Sequence, residues 1–236
     1  MLPHHLAIIM DGNRRWAKQR RFDILRGHNQ GTENLRQITK YAHERDIRYL
    51  TVFAFSTENW RRPKQEVKGL IELMRRFLMQ DIDRLVSDNV RLRIMGNLGA
   101  FDDELQKLFQ EAVDVTASNT GINLTIAVNY GGKQDILQAA RKLAKQEELG
   151  FFKEDDLKSS LQTALLPEVD FLIRTGGERR LSNFLLWDSA YAELYFSDKY
   201  WPDFSEADLD KALADFQARQ RRYGGDIVPE PESQKA

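Results

Sequence analysis

Residues 8–18, IIMDGNRRWAK, run from an apolar stretch directly into Asp11, Gly12, Asn13, Arg14 and Arg15. Side chains of these types, side by side, suit phosphate chemistry. Guanidinium forks grip phosphate oxygens bidentately, and a glycine lets backbone N–H groups approach an anion. A hard carboxylate among them suits Mg²⁺, which takes a few carboxylate oxygens together with substrate phosphate. A second arginine set follows in RTGGERRLSN, between Arg174 and Arg180. Two sets imply two phosphate-bearing groups, so the expected contents are two diphosphates and a magnesium ion.

Two further polar segments accompany them, FSTENWRRP from Phe55 to Pro63 and NYGG from Asn129 to Gly132. Each segment alone has an ordinary reading. Asp11-Gly12 makes a turn, Asn13 caps a helix, and an arginine run is usually a solvated face. That account explains each segment but not why all of them gather arginine or amide donors. Familiar phosphate signatures are missing: there is no GxxxxGK[ST] loop, no GxGxxG fingerprint and no kinase set. Asp102-Asp103 and Asp155-Asp156 are followed by Gln106 and Ser159, not by the third aspartate of the trans-prenyl synthase motif.

The elements that must hold these segments are legible. Strands are predicted at Leu6–Met10, Tyr49–Phe55, Val90–Met95, Ile122–Asn129, Val169–Arg174 and Glu193–Phe196. Leu70, Leu73, Met74, Phe77, Leu78, Ile82 and Leu85 recur three and four apart, the stripe of an amphipathic helix. Further helices are predicted at Thr32–Glu44, Asp102–Ala117, Lys133–Glu148 and Ser205–Arg222. Alternating strands and helices imply an α/β fold, a mostly parallel central sheet flanked by helices. In such sheets ligands bind beyond the carboxyl ends of the strands, where all four polar segments fall. One domain over residues 1–225 is expected, followed by a polar, disordered tail at 226–236.

Composition removes other classes. The 236 residues have a formal net charge of -1, which provides no global basic field for nucleic acid. The arginine clusters also lack the aromatic interleaving of single-strand platforms, so no nucleic-acid partner is expected. Cysteine is absent, which excludes disulfides, thiolate zinc sites and cysteine nucleophiles and fits a cytoplasmic location. No stretch approaches the ~20 apolar residues of a membrane span, so any membrane contact is expected to be peripheral.

The segments HLAIIMDGNRRWAK, LTVFAFSTENWRRPKQEV, VRLRIMG, NTGINLTIAVNYGG, DFLIRTGGERRLSNFLLWDSAYAELYF, WPDF and RRYGG resemble, in order, those of the cis-prenyltransferases. This is the family of the bacterial undecaprenyl diphosphate synthases. The resemblance covers His5 to about Gly225 and implies repeated addition of isopentenyl diphosphate to an allylic diphosphate, usually farnesyl diphosphate. It implies Mg²⁺, Z double bonds, a homodimer, and an apolar tunnel for the product lined by the Leu70–Leu85 stripe opposite Ala54 and Ile94. A short-chain or branched product, or a noncatalytic partner subunit, is the alternative. Carried over by position, Asp11 and Asn59 are the catalytic residues, and Asp11 and Glu193 the metal ligands. Substrate contacts fall to Gly12, Asn13, Arg14, Arg15, Trp16, His28, Ser56, Thr57, Glu58, Trp60 and Arg62 on one side, and to Arg174, Arg180, Leu181 and Ser182 on the other. Glu66 joins Trp60 and Arg62 in the family's mobile loop, and Arg222-Tyr223-Gly224 matches a motif that reaches a partner subunit. One departure stands out: Ile24 occupies a position where the family usually has arginine, with Arg21, Arg26 or Arg14 to supply the charge.

Overall fold

The computed structural model describes residues 1–145 and 151–219. Six parallel strands form one sheet in the order β3-β4-β2-β1-β5-β6. They are β1 (His5–Ile9), β2 (Tyr49–Ser56), β3 (Arg91–Met95), β4 (Asn123–Tyr130), β5 (Phe171–Arg174) and β6 (Glu193–Phe196). From β1 the chain moves to β2 and on to the edge strand β3, returns to place β4 between them, and then crosses to the other side of β1 for β5 and β6. The switch point therefore lies between β1 and β5, where Ile9 pairs with Arg174. A crevice opens at the carboxyl ends there, because the two connections leave in opposite directions.

Every residue of β1 is buried, as in a sheet covered on both faces. Leu6 and Ile8 join the larger core with Leu35 and Ile38 of α2 (Ile24–Glu44), Leu70, Phe77 and Leu78 of α3 (Lys64–Ser87), and Phe109 of α4 (Asp103–Val115). Ala7 and Ile9 point to the other face, into a smaller core with Phe184 and Leu185. β2 breaks the alternation. Its pairing with β4 passes from Phe53↔Ala127 to Phe55↔Val128, leaving Ala54 as an extra residue, so Ala54 and Phe55 both pack toward the larger core. Bulges of this kind re-aim side chains beside functional sites.

All six predicted strands are present. Two helices escaped prediction: α1 (Asn13–Gln19) and α6 (Glu154–Ser160), each seven residues long and rich in charge. α2 begins at Ile24 rather than Thr32, because Gly27 and Gly31 are packing glycines inside a helix and not loop residues. A Cβ on Gly31 would stand 2.5 Å from Asn13 Oδ1, and one on Gly27 would collide with the Asn13 carbonyl. Their bare backbone lets the start of α1 rest on α2. α5 (Gly132–Leu143) and α7 (Glu206–Ala218) complete the α-helices among the described residues. The continuation of the last predicted helix, the RRYGG motif and the 226–236 tail lie outside the described residues.

Candidate active site

The main chain of Asp11 is held from several directions. Its N–H donates to Ile9 O at 2.9 Å and lies 3.0 Å from Thr175 Oγ1, and its carbonyl accepts from Trp201 N at 2.9 Å. Gly12 follows at φ 110, a conformation that costs a residue with a Cβ roughly 1–2 kcal/mol. A Cβ there would also press on Tyr200 at 2.7 Å. The carboxylate beyond is fixed by two guanidinium groups. Oδ2 accepts from Arg174 Nη2 at 2.9 Å, and Oδ1 lies 3.1 Å from Arg15 Nη2.

Arg174 ends β5 and is 4% exposed, so its charge needs partners. Besides Asp11 it donates through Nη1 to the Arg180 carbonyl at 2.5 Å and to Ser182 Oγ at 2.6 Å. Ser182 and Asn183 take positive φ, 49 and 66, to fold the chain back over it. Asn183 then joins three segments: its Nδ2 donates to Glu58 and Gln134, each at 3.1 Å, while its Oδ1 accepts from Lys133 N at 2.8 Å.

Together these groups line a cleft of about 990 Å³. Asp11, Gly12, Asn13, Arg14 and Arg15 form one wall, His28 and Ile24 of α2 extend it, and Ser56, Glu58, Asn59 and Arg62 lie across from Arg174, Arg180 and Ser182. His28 is packed among cations. Burial, then Arg62 and Arg14, lower its pKa to about 4, so the ring is neutral near pH 7. Asn59 Oδ1 accepts from Ser56 N–H at 3.1 Å, which occupies the oxygen a proton acceptor would use.

Several expected contacts are not in the cleft. Trp16 is buried beside Phe22 and donates through Nε1 to Asp203 at 2.7 Å. Trp60 packs on Phe55 and Phe101 with Nε1 on Asn129 Oδ1, outside the cleft wall. Leu181 packs on the smaller core. The Thr57 hydroxyl is buried and unpartnered, below the Gly131 turn. Glu193 opens β6, at the end of the sheet opposite to Asp11, and accepts from Arg219 Nη1 at 2.8 Å. One chain does not bring those two carboxylates together. Neither Arg21 nor Arg26 replaces the charge missing at Ile24, and Arg26 lies over the Phe22 ring at 3.7 Å. Lys18, which sequence reasoning passed over, lines the cleft instead, as do Glu178 and Asn183. Asn183 stands inside a quoted motif, yet its bridging role depends on a positive φ that its residue type only favours.

The floor of the cleft changes character. Met10, Asn13, His28 and Ala54 also line a second cavity of about 100 Å³, otherwise walled, apart from Thr32, by apolar groups including Leu70, Leu73, Met74, Phe77 and Ile94. It lies between α2, α3 and the sheet. A polar anion cleft thus continues into an apolar recess.

A parallel α/β sheet with a cationic cleft at its switch point defines an α/β protein that binds anions at its sheet edge, and comparison narrows the class. The family model described as putative undecaprenyl diphosphate synthase matches residues 9–224, and the chain belongs to that family of prenyltransferases. It is 50% identical over 223 residues to an isoprenyl transferase of Neisseria gonorrhoeae, covering 94% of this chain and 90% of the relative. It is 49% identical over 228 residues to a (2E,6E)-farnesyl-diphosphate-specific ditrans,polycis-undecaprenyl-diphosphate synthase of Pseudomonas putida, covering 94% and 91%. A lavandulyl diphosphate synthase from Lavandula x intermedia, solved with dimethylallyl diphosphate, superposes with a TM-score of 0.89 at 38% identity, covering 94% and 98%. A probable undecaprenyl diphosphate synthase from Campylobacter jejuni gives 0.81 at 32%, covering 95% and 99%.

Proposed function

We propose that the cleft seats an allylic diphosphate and isopentenyl diphosphate side by side, and that the recess beyond Ala54 receives the growing hydrocarbon. The chain is a cis-prenyltransferase. It condenses isopentenyl diphosphate repeatedly onto an allylic diphosphate, with farnesyl diphosphate as the primer, to give a long-chain polyprenyl diphosphate such as undecaprenyl diphosphate. The Pseudomonas putida undecaprenyl-diphosphate synthase, at 49% identity, favours this product over a short or branched one. The observation that carries the reading is the join between a cationic cleft and an apolar cavity through Met10, Asn13, His28 and Ala54. An amphiphile with a diphosphate head and an isoprenoid tail has that shape and polarity.

In each cycle the allylic C–O bond breaks, a C–C bond forms to the terminal carbon C4 of isopentenyl diphosphate, and a proton leaves C2, whose C–H electrons become the new C2=C3 double bond. Charge accumulates on the departing diphosphate, so donors aimed there lower the barrier more than they favour ground-state binding. Arg14, Arg15, Arg62 and the backbone at Gly12 supply such donors on the allylic side. Arg174, Arg180 and Ser182 hold the isopentenyl diphosphate, which brings the two carbons together. Asn59 orients this group through its amide N–H₂, and the proton goes to diphosphate oxygen.

The Asp11 carboxylate suits Mg²⁺: it is a hard oxygen donor whose side chain remains 30% exposed to the cleft. No group of three or more acidic or imidazole ligands exists among the described residues, which matches an ion that takes one or two carboxylates plus substrate phosphates and water. When bound, Mg²⁺ neutralises charge on the leaving diphosphate. Glu193 serves as a ligand only toward a site outside its own chain's cleft. A homodimer, a cytoplasmic setting and peripheral membrane contact through the lipid product complete the reading. No described helix is long and apolar enough to cross a membrane.

The test is incubation of the purified chain with labelled isopentenyl diphosphate, farnesyl diphosphate and Mg²⁺, followed by sizing of the lipid. A ladder ending in a long polyprenyl diphosphate is expected. A product stopping after one condensation moves the chain to the short-chain alternative, and no turnover refutes the proposal.

A further inference from the structure

Glu66, in the first turn of α3, is 6% exposed yet carries no neighbour that sequence spacing alone would assign it beyond Arg62. Its Oε1 accepts from Arg62 Nη1 at 3.1 Å and stands 3.4 Å from Arg14 Nε and 3.8 Å from His28 Nε2. Those three side chains come from α1, α2 and the segment before α3, and all of them line the cleft. Glu66 does not line it. It sits behind them, with Oε2 buried and unpartnered. His28 Nε2 is likewise buried and unpartnered.

A buried carboxylate left with one bare oxygen is a costly arrangement that an apolar residue would avoid. Its geometry shows what it does. Arg14 approaches it with Nε and Arg62 donates to it through Nη1, and each guanidinium has further donors that can serve the cleft. A guanidinium held from behind by one N–H has its plane set and loses less freedom when an anion arrives.

We propose that Glu66 is a positioning residue: a buried counter-anion that holds Arg14 and Arg62 as one preassembled grip on a diphosphate, without touching the diphosphate itself. The inference rests on the reading of the cleft as a diphosphate site. It also ties the first turn of α3 to that site, so the helix that walls the apolar recess is anchored by the groups that hold the head.

Charge and geometry make opposite demands, which allows a clean test. Glu66→Gln keeps shape and removes a negative charge behind two ligand-facing guanidinium groups. A bystander carboxylate, on removal, would leave the cleft more positive and tighten inorganic diphosphate binding. Loss of a positioning residue weakens it in spite of the added positive charge. Isothermal titration of the full chain with inorganic diphosphate at fixed Mg²⁺ is expected to show Kd rising by about tenfold or more in Glu66→Gln. The same substitution made in an Arg14→Gln, Arg62→Gln background should then have little further effect. Equal or tighter binding by folded Glu66→Gln overturns the proposal, as does an undiminished effect in that background. Should Glu66→Gln fail to fold, Glu66→Asp keeps the charge but withdraws it by one methylene, and unchanged Kd there is equally fatal. Failure of the wild-type chain to bind diphosphate would instead remove the reading of the cleft itself.

Discussion

Asp11 stands where two guanidinium groups reach it, Arg174 from the end of β5 and Arg15 from the first turn of α1, the helix that follows it. Its main chain is fixed independently of its carboxylate, so Asp11→Asn should leave the circular dichroism spectrum nearly unchanged, while the buried Arg174 loses its carboxylate partner and the melting temperature falls. Turnover is expected to fall by about 10²–10³ or more, the range for losing one well-placed electrostatic group. Steady-state turnover with farnesyl and isopentenyl diphosphates checks this, and wild-type-like turnover would withdraw Asp11 from catalysis. His28 makes a prediction about pH. Its folded pKa, about 4, lies below its ordinary value of 6.5, so between those values the unfolded chain binds more protons. Its contribution to stability is therefore complete above about pH 6.5 and is lost as pH falls toward 4. Each pKa unit corresponds to about 1.4 kcal/mol, so the loss is on the order of 3 kcal/mol. Urea denaturation of wild type and His28→Gln across this range should show the wild-type stability falling more steeply with acid, and parallel curves would contradict the assignment.

Among the elements, those with strong periodicity were legible and those shaped by contact were not. The Leu70–Leu85 stripe reads as a helix from sequence, and Leu70, Leu73, Met74, Phe77 and Leu78 do wall the apolar recess. α1 has seven residues and too few apolar ones to show a period; it is held by Trp16 on Asp203 and by the packing glycines of α2. Those glycines hid the first two turns of α2, because in a sequence Gly27 and Gly31 read as loop. The bulge at Ala54 was equally invisible, since strict alternation would have sent Phe55 to the same face as Phe53. The cleft followed from motif order on a parallel sheet, but which side chains enter it depends on such local turns, and Trp16, Trp60 and Leu181 turn away. Ala54 yields an element-scale prediction. It belongs both to the cleft and to the recess, so Ala54→Leu should narrow the passage and shorten the product by one or more five-carbon units while the first condensation persists. Thin-layer sizing of the products would show it, and an unchanged length distribution would argue that the hydrocarbon leaves elsewhere.

At the scale of the whole molecule, a chain of formal net charge -1 concentrates cationic groups at one end of its sheet. Attraction for a diphosphate is thus local, from buried and oriented donors rather than from a general field, and moderate salt should weaken binding only partly. Chelation is the sharper perturbation. The cleft carboxylates, Asp11, Glu58 and Glu178, form no three-ligand group among the described residues, so on the proposed function a bound Mg²⁺ would be held largely by the substrates, and EDTA should abolish turnover while leaving the melting temperature of the ligand-free chain unchanged. Differential scanning calorimetry beside the activity assay tests both halves, and a large fall in melting temperature would indicate a structural ion instead.

The two cavities differ in size by almost an order of magnitude, about 990 Å³ against about 100 Å³. On the proposed function, a hydrocarbon that outgrows this recess would have to part α2 from α3 against close-packed side chains, so the compliance of that helix pair would bear on chain length as much as any fixed wall.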